Sequence, residues 1–133
     1  MTKIFPALRY RDPKAAIEWL ENAFQFQRHF VADEEGEVVH AQLRVGDDLL
    51  MLGPDHIDDK YGMHSPLKLN GTNQCVYIAL DNDIDEACER ARAAGATIVT
   101  APYHTPYGSR EFSCKDLEGH VWSFGTYAGE PLT

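Results

Sequence analysis

Apolar and polar positions along this chain spell the same succession of elements twice. Ile4 to Tyr10 (IFPALRY) reads as a first strand, with Pro6 placing it near an edge or at the strand's start. Asp12-Pro13 opens a helix, an Asp cap followed by Pro at the first helical position. Ala16, Trp19, Leu20 and Ala23 then fall on one face at helical spacing, and the helix should end near Phe24 to Phe26. A weak strand is expected around Arg28 to Ala32, followed by the acidic turn Asp33-Glu34-Glu35-Gly36. Val38 to Val45 is a clear strand, and Gly46-Asp47-Asp48 turns it into Leu49 to Leu52.

Residues 53 to 73 show no sustained period and read as a connecting loop. The pattern then restarts. Gln74 to Leu80 is a strand, and Asp83 with Glu86 forms the capping box of a second helix. Ile84, Ala87, Ala91 and Ala94 make its buried stripe, with Gly95 as the C-terminal cap. Thr97 to Thr100 is a short strand and Ala101 to Gly108 a loop. Ser109 to Lys115 and His120 to Thr126 form a hairpin around Asp116-Leu117-Glu118-Gly119, where Asp116 can bond its own backbone two residues on. Leu8 and Ile78, Asp12 and Asp83, Gly46 and Asp116 are each separated by about seventy residues. The reading is an α+β fold of two tandem βαβββ modules: module one about 3–53, a linker 54–73 and module two about 74–127, within one domain.

Charge and cysteine usage narrow the partners. A formal charge of −9 with no cluster of Lys and Arg argues against nucleic acid. An acidic field favours a cationic ligand, although surface acidity commonly serves solubility. No apolar run is long enough to span a bilayer, and residues 1 to 20 lack the apolar stretch of a signal peptide. The odd set Cys75, Cys88 and Cys114 has no metal-type spacing, so a reduced, cytoplasmic setting is expected.

Three stretches carry a resemblance: RYRDPKAAIEWLENAFQF from Arg9 to Phe26, HAQLRVGDDLLML from His40 to Leu52, and YGSREFSCKDLEGHVWSFGTY from Tyr107 to Tyr127. Together they resemble the vicinal oxygen chelate superfamily, which includes glyoxalase I, bleomycin-resistance proteins, fosfomycin-resistance enzymes and extradiol dioxygenases. The last stretch resembles that family's closing Asp-Pro-x-Gly-His hairpin, with Leu117 in place of the proline. The resemblance implies curved mixed sheets around a cleft. In metal-dependent members a divalent cation there polarises two neighbouring substrate oxygens.

The family's four ligand places fall here at Phe5, Met51, Cys75 and Ser123. Phe5 and Met51 cannot hold a hard cation, Ser123 is a poor ligand, and Cys75 alone makes no site. No metal ligand and no cofactor is therefore assigned. His40 is the remaining candidate for a rearranged site, although a mid-strand histidine more often bonds a neighbouring polar group. His120 is expected to be solvated or to brace the hairpin, and His104 to hang from a loop. Cys75 is expected to be a small buried residue, and no nucleophile or phosphate-cradling motif is present.

What remains is a binding surface. Strand parity turns Phe5, Ala7 and Arg9 inward with Cys75, Tyr77 and Ser123, while His40, Gln42, Met51, Tyr103, Tyr107 and Arg110 supply polar or aromatic walls. Arg110 and Glu111 point to opposite faces, so at most one lines the cleft, and a surface ion pair is the rival role for either. The favoured reading is a metal-free protein of the bleomycin-resistance type that sequesters or carries a small aromatic or cationic molecule. The resemblance implies a homodimer. The alternative is a metal-dependent lyase, isomerase or dioxygenase with rearranged ligands.

Overall fold

A computed structural model describes residues 1–131 and divides the chain into two compact units, Met1–Gly71 and the residues from Thr72 onward. Each unit holds one four-stranded mixed sheet with a helix on one face. In the first, the order is β1 (Ala7–Tyr10), α1 (Pro13–Phe24), β2 (Gln27–Glu34), β3 (Glu37–Val45), β4 (Asp48–Pro54) and the one-turn helix α2 (Pro66–Leu69). In the second it is β5 (Cys75–Ala79), α3 (Ile84–Ala93), β6 (Thr97–His104), β7 (Arg110–Lys115) and β8 (Val121–Gly125). The sheets run β1-β4-β3-β2 and β5-β8-β7-β6, so the duplicated βαβββ reading holds down to strand order. In each sheet the module's first strand pairs parallel with its last, and the other pairs are antiparallel. Among the described residues no helix is long and apolar enough to cross a membrane.

Helix α1 starts as the sequence indicates: the Asp12 carboxylate accepts from the Ala15 N–H at 3.1 Å, with Pro13 next in line. It ends at Gln25, whose left-handed backbone lets its N–H reach the Glu21 carbonyl. Its buried face is Ala16, Ile17, Leu20 and Ala23. Trp19, expected in that stripe, is only half-buried and packs edge-on against Phe24. These residues meet Leu8, Tyr10, Ala41, Leu43, Leu50 and Leu52, which alternate to the same side of the first sheet.

The second helix departs from expectation at its start. Asp83 has a left-handed backbone (φ 64°), and its side chain makes no cap hydrogen bond, because capping needs an extended residue at that place. Asp85 and Glu86 in the first turn complement the helix dipole instead. Its far end closes as a Schellman motif, with Ala96 N–H on the Ala91 carbonyl and Gly95 N–H on that of Arg92. Gly95 supplies the positive φ of 100° that this closure requires. Ile84, Cys88 and Ala91 are buried beside Phe112, Cys114, Trp122 and Phe124, whereas Ala87 and Ala94 are half-buried. Phe112 and Phe124, paired across β7 and β8, stack at 4.9 Å.

Strands β2 and β4 each run up to two residues past their expected ends, β2 taking in Asp33 and Glu34 of the expected turn, and three further stretches differ from the sequence reading. The first strand begins at Ala7; Phe5 precedes it, and Pro6 contributes only its carbonyl, which accepts from Met51 N–H. Strand β6 continues to His104 through the stretch expected to be a loop, with register shifts on either side of Thr100. Pro102 is tolerated because β6 is an edge strand. The segment read as a plain connection contains α2, started by Ser65 Oγ accepting from Leu67 N–H.

Candidate functional site

Each sheet has one face turned to its helix and one turned away, and the second carries most of the residues singled out by strand parity. In the first module a row runs across all four strands: Ala7 beside Met51, Met51 beside Gln42, and Gln42 beside Phe30. Arg9 and His40 share this parity. His40 is hydrogen-bonded to Gln42, ring nitrogen to amide nitrogen, at 3.2 Å. Arg9 is committed as well: its Nε donates to Asp59 Oδ1 at 2.9 Å. The other Asp59 oxygen accepts from the backbone N–H groups of Tyr61 and Met63. The Arg9 hydrogen bond, helped by those N–H groups, brings the Asp59 carboxyl down to about 2.

Four residues earlier in the same loop, Asp55 accepts from His64 Nδ1 at 2.7 Å and from Ser65 N–H at 2.8 Å. Burial pushes its carboxyl up, but the His64 and Ser65 hydrogen bonds outweigh this and leave it below the usual range. Two aspartates therefore fold the loop after β4, and Arg9 ties it to β1.

In the second module three rows cross the sheet on the face away from α3. Cys75 lies beside Val121, and Val121 beside Lys115; Tyr77 lies beside Ser123, and Ser123 beside Ser113. Ala79 lies beside Gly125, Gly125 beside Glu111, and Glu111 beside Tyr103. Tyr107, in the β6–β7 turn, donates its hydroxyl to Glu111 Oε2 at 2.9 Å. The Tyr77 hydroxyl donates to the Tyr127 carbonyl at 2.7 Å, and the Tyr107 and Tyr127 rings meet edge-on at 6.1 Å. Gly125 is the hinge of this arrangement, because a Cβ there would lie 2.5 Å from the Tyr77 hydroxyl and 2.7 Å from Glu111 Cγ. Only a bare backbone lets the tyrosine and the glutamate close over β8.

Of the residues expected on these faces, Ala7, Arg9, His40, Gln42 and Met51 lie together on the first sheet, and Cys75, Tyr77, Tyr103 and Ser123 on the second, with Tyr107 at its end. Arg110 does not join them. It is held to the α3 side by a bidentate ion pair with Asp85 at 2.8 and 2.7 Å, and Glu111, its neighbour of opposite parity, takes the place on the free face. Phe5 and Tyr77 are both partly exposed rather than core, while Trp122 is fully buried. His120 is buried, not solvated, and His104 ends β6 opposite Arg110. The sequence reading does not include Gly125 or Tyr127 among the site residues; a glycine inside a strand, two residues before a tyrosine, was the available signal.

Cys75, expected to be buried, is exposed, because β5 is an edge strand and this position faces away from the helix. Its thiol is nevertheless raised by partial desolvation, against the lowering effect of the Ser123 backbone. Burial raises Cys88 and pushes Cys114 up to about 12. All three sulfurs stay protonated near neutrality, which makes them weak nucleophiles. Among the described residues no three His, Cys, Asp or Glu side chains are grouped as metal ligands would be.

Comparison with known proteins bears on this arrangement. Residues 5–124 match the profile of the Glyoxalase/Bleomycin resistance protein/Dioxygenase superfamily. An uncharacterized protein of Mycobacterium bovis is 33% identical over 123 residues, covering 90% of this chain and 80% of that protein. The crystal structure of TioX from Micromonospora sp. ML1 is similar with a TM-score of 0.79 at 30% identity, over 96% of this chain and 100% of that one. The fosfomycin resistance protein FosX from Mesorhizobium loti is similar in fold, with a TM-score of 0.66 at 14% identity, over 97% of this chain and 93% of that one.

Proposed function

Because this chain belongs to the Glyoxalase/Bleomycin resistance protein/Dioxygenase superfamily, we propose that it binds a small molecule carrying an aromatic part, without a metal, and sequesters or carries it rather than transforming it. The observation that carries this reading is the composition of the sheet faces turned away from the helices. The first sheet offers Phe30 and Met51 as apolar and aromatic contact with Gln42 beside them, and the second offers Tyr77 and Tyr103 with Ser113, Ser123 and Glu111 to orient a ligand. Exposed aromatic rings beside a few fixed polar groups suit capture of a flat molecule. The places where metal-dependent relatives are expected to hold their cation carry Phe5, Met51, Cys75 and Ser123, side chains poorly suited to a hard divalent ion.

The protein acts in this reading as a cytoplasmic homodimer, its three cysteines remaining free thiols. The test joins elemental analysis with a thermal-shift screen. Protein purified without added metal should contain no near-stoichiometric zinc, iron, nickel or manganese. After chelator treatment it should keep its melting temperature and still be stabilised by aromatic compounds. A bound transition metal whose removal abolishes those shifts would replace this reading with a metal-dependent enzyme using rearranged ligands.

A further inference from the structure

Glu111 presents an unusual combination of burial and isolation. The residue is only 9% exposed, yet among the described residues no Lys, Arg or His side chain forms an ion pair with it. Among the described residues the Tyr107 hydroxyl is the one side-chain donor placed on its carboxylate, although a carboxylate can accept about four hydrogen bonds. A buried carboxylate with so little compensation favours a positive partner, because isolated charge is costly to keep from water.

The surroundings are suited to the same partner. Three of the chain's six tyrosines lie beside this glutamate, and a fourth is tied to two of them. Tyr103 is its cross-strand neighbour, Tyr107 is hydrogen-bonded to it, Tyr77 meets it over Gly125, and Tyr127 holds both Tyr77 and the Tyr107 ring. Tyr77, Tyr103 and Tyr107 remain 41%, 44% and 50% exposed, so their ring surfaces are open to a ligand. Tyrosine faces attract cations through the negative potential over the ring. Burial raises the Tyr77 hydroxyl, and the Glu111 hydrogen bond raises that of Tyr107, so both stay neutral and add no anion that would scatter the charge.

We propose that Glu111 and the tyrosines around it form a recognition site for a protonated amine, the ammonium group seated between the carboxylate and the aromatic rings. This rests on the small-molecule-binding reading above and gives the ligand its chemical class: an amine attached to an aromatic or apolar body. The acidic whole-chain charge of −9 would draw such a cation to the protein.

The test compares two probes of nearly equal shape, 2-phenylethylamine and the neutral 2-phenylethanol, titrated into the full chain and followed by backbone amide shifts. The amine should bind about tenfold more tightly than the alcohol and perturb Glu111 and Gly125. Glu111→Gln keeps an oxygen for the Tyr107 hydroxyl and should keep the fold. In that variant most of the preference for the amine should be lost, the tyrosine faces keeping a small remainder, while the alcohol binds as before. Equal binding of both probes by the unmodified chain, or a preference undiminished in Glu111→Gln, would overturn the amine site and leave the small-molecule reading standing. Binding of neither probe would count against both.

Discussion

At the scale of single residues, Asp116 does the most with the fewest atoms. One oxygen accepts from the N–H groups of Glu118, Gly119 and His120, and the other from Trp122 Nε1. The turn and the largest fully buried side chain thus depend on one carboxylate. Asp116→Ala should cost about 3 kcal/mol in urea denaturation, because it leaves a buried indole N–H and a tight turn without their acceptor. A loss below about 1 kcal/mol would mean that other acceptors replace it. Gly125→Ala should cost about 1–3 kcal/mol by forcing Tyr77 and Glu111 away from β8. Tyr77→Phe in the same background should recover part of that loss; an unchanged double variant would show that the hydroxyl is not the obstacle. The Asp116 turn was legible in sequence because its bonds are local. Its reach to Trp122 was not, nor was the role of Gly125, since both depend on which strands lie side by side. Parity placed Arg110 and Glu111 on opposite faces, but only the Asp85 partner on α3 decides which one the free face receives.

Elements show the same division between local and non-local information. Helix α1 was legible because Asp12, Pro13 and the apolar spacing agree with one another. The α3 capping box failed because a left-handed Asp83 cannot cap, and backbone geometry of that kind is not written in residue type. The length of β6 was hidden by Pro102 and by the register shifts that accommodate it. The loop after β4 read as a linker because its order comes from two aspartates reaching the N–H groups of Tyr61, Met63 and Ser65, not from any periodicity. Its pH response follows. The Asp59 carboxyl is depressed from 3.8 to about 2, so its contribution is complete above pH 3.8 and lost as pH falls through 2. Protection of the Tyr61 and Met63 amides, measured as exchange relative to the intrinsic rate at each pH, should therefore hold down to about pH 4 and fall towards pH 2. Asp59→Asn should speed exchange at these amides even at neutral pH while leaving the β3 and β4 amides protected. Loop exchange indifferent to that substitution would remove Asp59 from its organising role.

For the whole molecule, the repeated sheet order is the feature from which the functional account is built. Each module buries one sheet face under its helix and leaves the other lined by the side chains that strand parity selects, so one sequence pattern written twice yields two surfaces of the same origin. The second departs from the first by gathering tyrosines around Glu111, while Arg9 of the first is occupied by Asp59. The fold was readable because duplication and hairpin chemistry repeat along the chain; the composition of each face emerged only once strand neighbours were known. The most direct test of the account is amide shift mapping of a thermal-shift hit on chelator-treated protein. Perturbations should concentrate on the residues of a free sheet face, Tyr77, Glu111 and Ser123 of the second module among them, and be the same with or without added divalent metal. Perturbations confined to the helices, or appearing only once metal is restored, would contradict it.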